Sequence, residues 1–207
     1  DRAEEAFVRL VDGPRRGEAL KFLLEIYQQE KDWNKAIEIA GRMERDSGQS
    51  WQKEIANFCC ELAAHEATHS RPDQARQHLQ KALAANRKCV RASLVLGDLH
   101  AAAGDDAKAI ETWKEIEQQQ PAYLALAAQR LLDGHRALGR ADEGLTLLRG
   151  YLAAYPSLDL LDVAFQSTLD VKGPEEAYRL IKDELRRNPT LLGLDRLLEA
   201  QIMAAPP

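Results

Sequence analysis

The spacing of small and bulky residues across residues 90–123 limits what this chain can fold into more than any other feature. The stretch reads VRASLVLGDLHAAAGDDAKAIETWKEIEQQQPAY. Apolar residues return three and four positions apart in two runs, 92–103 and 106–119, joined by Gly104-Asp105 and closed by Pro121. That period lays apolar side chains along one stripe of an α-helix and does not suit the alternation of a half-buried strand. Gly97 and Ala109 are small where two antiparallel helices would cross, while Leu96, His100 and Trp113 are bulky beside them. The two helices can then approach closely and still fill the flanking grooves. Ala75 lies 34 residues before Ala109, and Ala36, Gly144 and Ala177 take the same place in further copies.

In this register the sequence predicts helical pairs throughout. Residues 1–16 form the second helix of a truncated unit. Complete units follow at 17–50, 56–89, 90–123, 125–158 and 158–191, and residues 192–207 supply one more first helix and a tail. Turns are predicted near 31–32, 70–73, 104–105, 139–140 and 172–174, with no strand. Pro72 cannot occupy a helix interior, and Gly48 suits a helix C-cap. Residues 49–55 exceed the repeat length and predict either a longer connection or an extended helix start. Glycine at 144, where the other units have alanine, should weaken its helix by up to about 1 kcal/mol. A 34-residue helix–turn–helix with Gly, Ala, aromatic and Pro at these offsets resembles the tetratricopeptide repeat. The resemblance implies an all-α, right-handed superhelical solenoid, because such pairs cannot bury their faces alone. Neither end shows a polar capping helix and the first residue is Asp1, so the expectation is a piece of a protein that continues in both directions.

Charge and cysteine usage remove several function classes. With 28 basic and 33 acidic residues, a formal net charge of −5 and no basic block, nucleic-acid binding has little support. No run of 18 apolar residues and no signal-peptide pattern occurs. Cys59, Cys60 and Cys89 are an odd count without CxxC spacing, which argues against a disulfide framework or a zinc knuckle. They read as small buried hydrophobes in a reducing, cytoplasmic setting.

One motif points elsewhere. His65-Glu66-Ala67-Thr68-His69 is a literal HExxH, which on a helix puts both histidines on one face, able to hold zinc with Glu66 as general base. The segment, however, ends a first helix, with Pro72 three residues on, and Arg71 sits badly beside a dry metal site. His78, His100 and several glutamates are available in principle, but no motif presents a third ligand. The reading is therefore no enzyme, no catalytic residue and no metal. No Gly-rich phosphate loop or Ser/His/Asp arrangement appears either. Trp33 and Trp113 read as packing residues, whereas Trp51, in the inserted connection, is also a candidate partner contact.

Three stretches carry a closer likeness: IYQQEKDWNKAIEIAGRM at 26–43, EIANFCCELA at 54–63, and ALAANRKCVRASLVLGDLHAAAGDDAKAIE at 82–111. They resemble the repeat region of the lipopolysaccharide assembly protein B family, more weakly through NPTLLGLDRLLEA at 188–200. The resemblance implies a non-catalytic adaptor on the cytoplasmic side of the Gram-negative inner membrane. It also implies protein partners, namely the committed-step deacetylase of lipid A synthesis and a membrane-bound AAA+ protease to which that deacetylase is presented. The family adds a transmembrane helix and a rubredoxin-like metal domain. Neither pattern is in this sequence, so the expectation is a soluble repeat core without cofactor, with a homo-oligomer left open beside the protein partners.

In tetratricopeptide arrays the first helices build the inner wall. Carried onto this register, that wall comprises Glu18, Lys21, Glu25 and Gln28, then Asn57 with Cys60, Ala64 and Ala67. It continues with Arg91, Leu94, Asp98 and Ala101, then Leu126, Gln129, Asp133 and Arg136, and ends with Asp159, Asp162, Gln166 and Leu169. Acids outnumber bases along it, and a concave wall of one sign focuses its field. A basic partner segment with an apolar anchor near Leu94 and Leu126 is the expectation. The alternative is a chaperone-type clamp for a C-terminal carboxylate. Lys21 and Arg91 match its basic positions, but Glu25 and Ala64 stand where amides are needed, and Glu25 would repel the carboxylate.

Overall fold

A residue in the left-handed backbone region reverses the chain inside each helical hairpin. A computed structural model describes residues 2–204. Among these, positive φ occurs at Lys31, Gly48, Ser70, Gly104, Gly139 and Gly173. All but Gly48 fall in the predicted turns. Glycine takes that conformation freely, whereas Lys31 (φ 58°) and Ser70 (φ 57°) carry a steric penalty of roughly 1–2 kcal/mol each. Aspartate then starts two of the following helices: the Asp32 and Asp105 carboxylates accept the backbone N–H of Lys35 and Lys108 at 3.2 Å.

The elements so delimited are α1 (Arg2–Leu10), α2 (Arg16–Gln29), α3 (Trp33–Ser47), α4 (Gln52–Thr68), α5 (Pro72–Ala85) and α6 (Val90–Ala102). They continue as α7 (Asp106–Gln119), a 3-10 turn (Pro121–Tyr123), α8 (Leu124–Ala137), α9 (Ala141–Ala154), α10 (Leu158–Lys172), α11 (Pro174–Arg187) and α12 (Leu191–Ala204). No strand occurs among the described residues. The fold is the all-α tetratricopeptide array that the spacing predicts. Pro72 and Pro174 sit in the first turns of α5 and α11, where a missing N–H costs nothing. The tail at 205–207 and Asp1 lie outside the described residues.

Residues group into two compact units, Asp1–Leu96 and Gly97–Pro207. In the first, Leu20, Leu23, Leu24 and Tyr27 of α2 interlock with Ala36, Ile39, Ala40 and Met43 of α3 and Phe58 of α4. Trp33 stacks on Phe58 with ring centroids 5.8 Å apart, and Trp51 packs half-buried against the same cluster. Both readings of residues 49–55 hold in part. Gly48 ends α3 in the left-handed region, a short connection follows, and α4 gains an extra first turn from Gln52. At the amino end Phe7 of α1 stacks on Phe22 of α2 with ring centroids 4.8 Å apart.

In the second unit the fully buried Ile116, Leu131, Leu132, Leu148, Phe165 and Ile181 form the interior. Each such side chain contributes about 1.5–3 kcal/mol by leaving water. The small positions are explained by what faces them. Ala109 and Ala177 are fully buried. A β-carbon at Gly144 would come within 3.0 Å of His135 Cβ and 3.2 Å of Leu132 Cδ1. The glycine that weakens α9 as an isolated helix thus admits the bulky His135 of α8.

Candidate partner-binding face

The first helices of the pairs are α2, α4, α6, α8, α10 and α12. In the first unit Glu18, Lys21, Glu25 and Gln28 of α2, Asn57 of α4 and Arg91 of α6 are exposed, and Leu94 is half-buried. Cys60 departs from the expected wall: it is only 3% exposed and faces inward. In the second unit Leu126 of α8 is 50% exposed. Gln129, Asp133 and Asp159 are exposed, while Asp98, Arg136, Asp162 and Gln166 are half-buried.

What joins these residues is a set of arginine–carboxylate rungs between successive first helices. In the first unit Arg91 Nη1 donates to Glu61 Oε1 at 2.6 Å, linking α6 to α4. In the second unit Arg130 of α8 grips Asp98 of α6 through two bonds, Nε to Oδ1 at 2.7 Å and Nη2 to Oδ2 at 3.1 Å. The third nitrogen of Arg130 donates to the Leu126 carbonyl at 2.8 Å, which fixes the fork. Arg196 of α12 repeats the device on Asp162 of α10 at 2.7 Å, and its guanidinium lies 5.7 Å from the Phe165 ring centroid. Asp133 accepts from Gln129 at 2.9 Å and from Arg136 at 3.4 Å, and Arg136 also lies 4.0 Å from Asp170.

Exposed pairs of this kind contribute about 0–1 kcal/mol each, so the rungs do little for stability. Their effect is to orient charge, because a two-bonded guanidinium holds one geometry. They also offset part of the acidic field expected of the wall, since Asp98 and Asp162 each face an arginine. Arg130, Glu61, Asp170 and Arg196 lie outside the wall that helical periodicity predicts. Their signal was present: opposite charges 30, 32 and 34 residues apart, close to one repeat. A depression of about 260 Å³ lies away from this face, between α9 and α11, lined by Arg149, Arg179, Arg187, Glu176 and Asp183 among others.

The HExxH residues end α4 at its solvent-exposed tip. The His65 and His69 rings are 4.2 Å apart, and His69 Nδ1 is bonded to the His65 carbonyl at 2.8 Å. Glu66 is engaged by Arg71 Nη1 at 3.1 Å and lies 3.5 Å from His65 Nδ1. Among the described residues no three His, Cys, Asp or Glu side chains converge as a metal set. A carboxylate tied to arginine is a poor general base, and two exposed imidazoles alone hold zinc weakly. Purified protein is therefore expected to retain less than a tenth of an equivalent of zinc after dialysis. Stoichiometric zinc that His65→Ala removes would reverse this expectation.

A tetratricopeptide repeat family profile matches residues 60–123. Over 99% of its length the chain is 30% identical to lipopolysaccharide assembly protein B of Escherichia coli strain K12, covering 53% of that protein. It is 31% identical over 98% of its length to lipopolysaccharide assembly protein B of Haemophilus influenzae, covering 51%. The chain thus spans about half the length of the curated relatives it matches. Among solved structures, YrrB, described as a TPR protein with an unusual peptide-binding site, aligns with a TM-score of 0.48 at 14% identity, over 93% of this chain and 97% of that one. The resemblance carried by residues 26–43, 54–63 and 82–111 is borne out by this similarity. Among the described residues no helix is long and apolar enough to cross a membrane.

Proposed function

We propose that this chain, a tetratricopeptide array similar along nearly its whole length to lipopolysaccharide assembly protein B, is a non-catalytic protein-binding scaffold in the control of lipopolysaccharide synthesis. In this reading it presents the committed-step deacetylase to a membrane-bound AAA+ protease at the cytoplasmic side of the inner membrane. Similarity to that protein supports the setting. One structural observation supports the binding mode: the first helices of the second unit carry a rung-ordered charge array beside the exposed Leu126. Arg130 donates to the Leu126 carbonyl and grips Asp98, so the apolar side chain sits at a preorganised polar rim. An apolar anchor ringed by fixed polar groups is how protein interfaces concentrate binding energy. Asp133 and Asp159 leave the array on the acidic side, which favours a partner segment of net basic charge.

The test uses this chain as bait for the purified deacetylase and protease. Wild type is expected to bind at least one of them, with affinity falling as salt rises. Asp133→Lys combined with Leu126→Ala is expected to weaken binding about tenfold or more, the effect of losing one hot spot and one steering charge. Both positions are exposed, so circular dichroism should be unchanged. Undiminished binding by the double variant would move the site off this face, and binding of neither protein would sink the partner assignment.

A further inference from the structure

The three cysteines are not equivalent. Cys60 of α4 and Cys89, the residue before α6, bring their sulfurs to 3.9 Å across 29 residues of sequence, and both are buried at 3% and 6% exposure. The Cys89 carbonyl accepts the N–H of Ala92 and Ser93, so this residue starts α6. A side chain at that position lies beside the positive end of the helix dipole. The hydrogen bond shared with Cys60, opposed by burial and helped by the Ala92 and Arg91 backbone N–H groups and the Arg91 charge, holds Cys89 below the ordinary thiol range. Cys60, sharing its proton with Cys89 and buried, is pushed up. Cys59 is buried and pushed up by desolvation, without the hydrogen bond that links the other two. The two sulfurs are thus in contact inside one buried site, the proximity by which one thiol can resolve an oxidised neighbour.

We infer that Cys60 and Cys89 are an oxidation site at which hydrogen peroxide forms an intrachain disulfide, tying α4 to the start of α6. The Cys89 thiolate attacks a peroxide oxygen and the O–O bond breaks. This gives a sulfenic acid and hydroxide, which takes up a proton as water. The Cys60 sulfur then attacks the Cys89 sulfur, the S–O bond breaks, and the departing hydroxide takes the Cys60 proton as a second water. Two thiols are oxidised by two electrons and one peroxide is reduced to two waters. A disulfide here closes the sulfurs from 3.9 Å to the bond length of about 2.05 Å. The site does not depend on the scaffold reading. It does lie next to the Glu61–Arg91 rung, since Cys60 precedes Glu61 and Cys89 is two residues before Arg91.

The experiment treats the whole folded chain with a few equivalents of hydrogen peroxide, alkylates it with iodoacetamide under denaturing conditions, and maps peptides without reductant. The expected result is a chain two hydrogens lighter, a Cys60–Cys89 crosslinked peptide, and Cys59 alkylated as before. Cys60→Ser should lose the crosslink and leave a sulfenic acid at Cys89 that dimedone traps. The inference is overturned if both thiols stay fully alkylated at a dose that oxidises a reference dithiol. It is equally overturned if Cys59 pairs with Cys89 as often as Cys60 does, or if the only crosslinks join two chains.

Discussion

Gly97→Val is expected to lower the stability of the second unit by about 3 kcal/mol, the upper end of what overpacking costs. A β-carbon at Gly97 would fall inside the Trp113 indole, within 2.7 Å of its Cε2. Trp113 is 3% exposed, so the ring has nowhere to go without displacing α7. Gly97→Ala separates the opposing terms. Alanine should gain about 1 kcal/mol as a better helix former, yet the clash costs about 1–3 kcal/mol, so a net loss is expected. Gly150 of α9 is the control: its β-carbon would meet nothing within 4 Å, so Gly150→Ala should stabilise by about 1 kcal/mol. Urea unfolding reads all three variants. If Gly97→Ala were as stabilising as Gly150→Ala, α6 and α7 would not cross at that residue and the repeat register would be wrong.

Phe165→Ala is the second large effect, a loss of about 3–5 kcal/mol. Phe165 of α10 is fully buried, and truncating it leaves a cavity whose lining cannot collapse while α8, α11 and α12 are held by their own contacts. The damage should be regional, because repeat units depend on their nearest neighbours more than on the whole chain. Amide hydrogen exchange is expected to accelerate across α10–α12 first, with a smaller change in residues 16–68. The Arg196 guanidinium rests near that ring, so the rung to Asp162 should loosen as well. Uniform acceleration along the chain would show one cooperative body in place of local coupling. No acceleration would mean that the Phe165 environment differs from the one described.

Which parts of this molecule were legible in the sequence follows from the range of the forces involved. Helices, turns and the small crossing positions obey local rules: a 3.6-residue period, prolines at first turns, glycines at left-handed positions. Ala36, Ala75, Ala109, Gly144 and Ala177 could therefore be aligned by counting. Lys31 and Ser70, which carry the left-handed conformation without glycine, were still placed in turns because the flanking pattern stopped there. The candidate face was legible by periodicity, and each of its predicted residues in the second unit is at least partly exposed. Its charge was not legible in the same way. Asp98 and Asp162 counted as acids along the wall, but the forks of Arg130 and Arg196 that engage them come from the next first helix.

The sequence by itself determined the fold class, the hairpin register and the likeness to one family, since all three follow from residue type at fixed intervals along the chain. Tertiary structure alone decided three other things: that Gly97 is small because Trp113 lies against it, that the wall's carboxylates are held by arginines of successive first helices, and that Cys60 selects Cys89 over Cys59. Each of these depends on distances of a few ångströms between residues 16 to 34 positions apart. Spacing along a chain fixes which helix face a side chain occupies, but only the stacking of the helices sets which atoms on neighbouring faces meet.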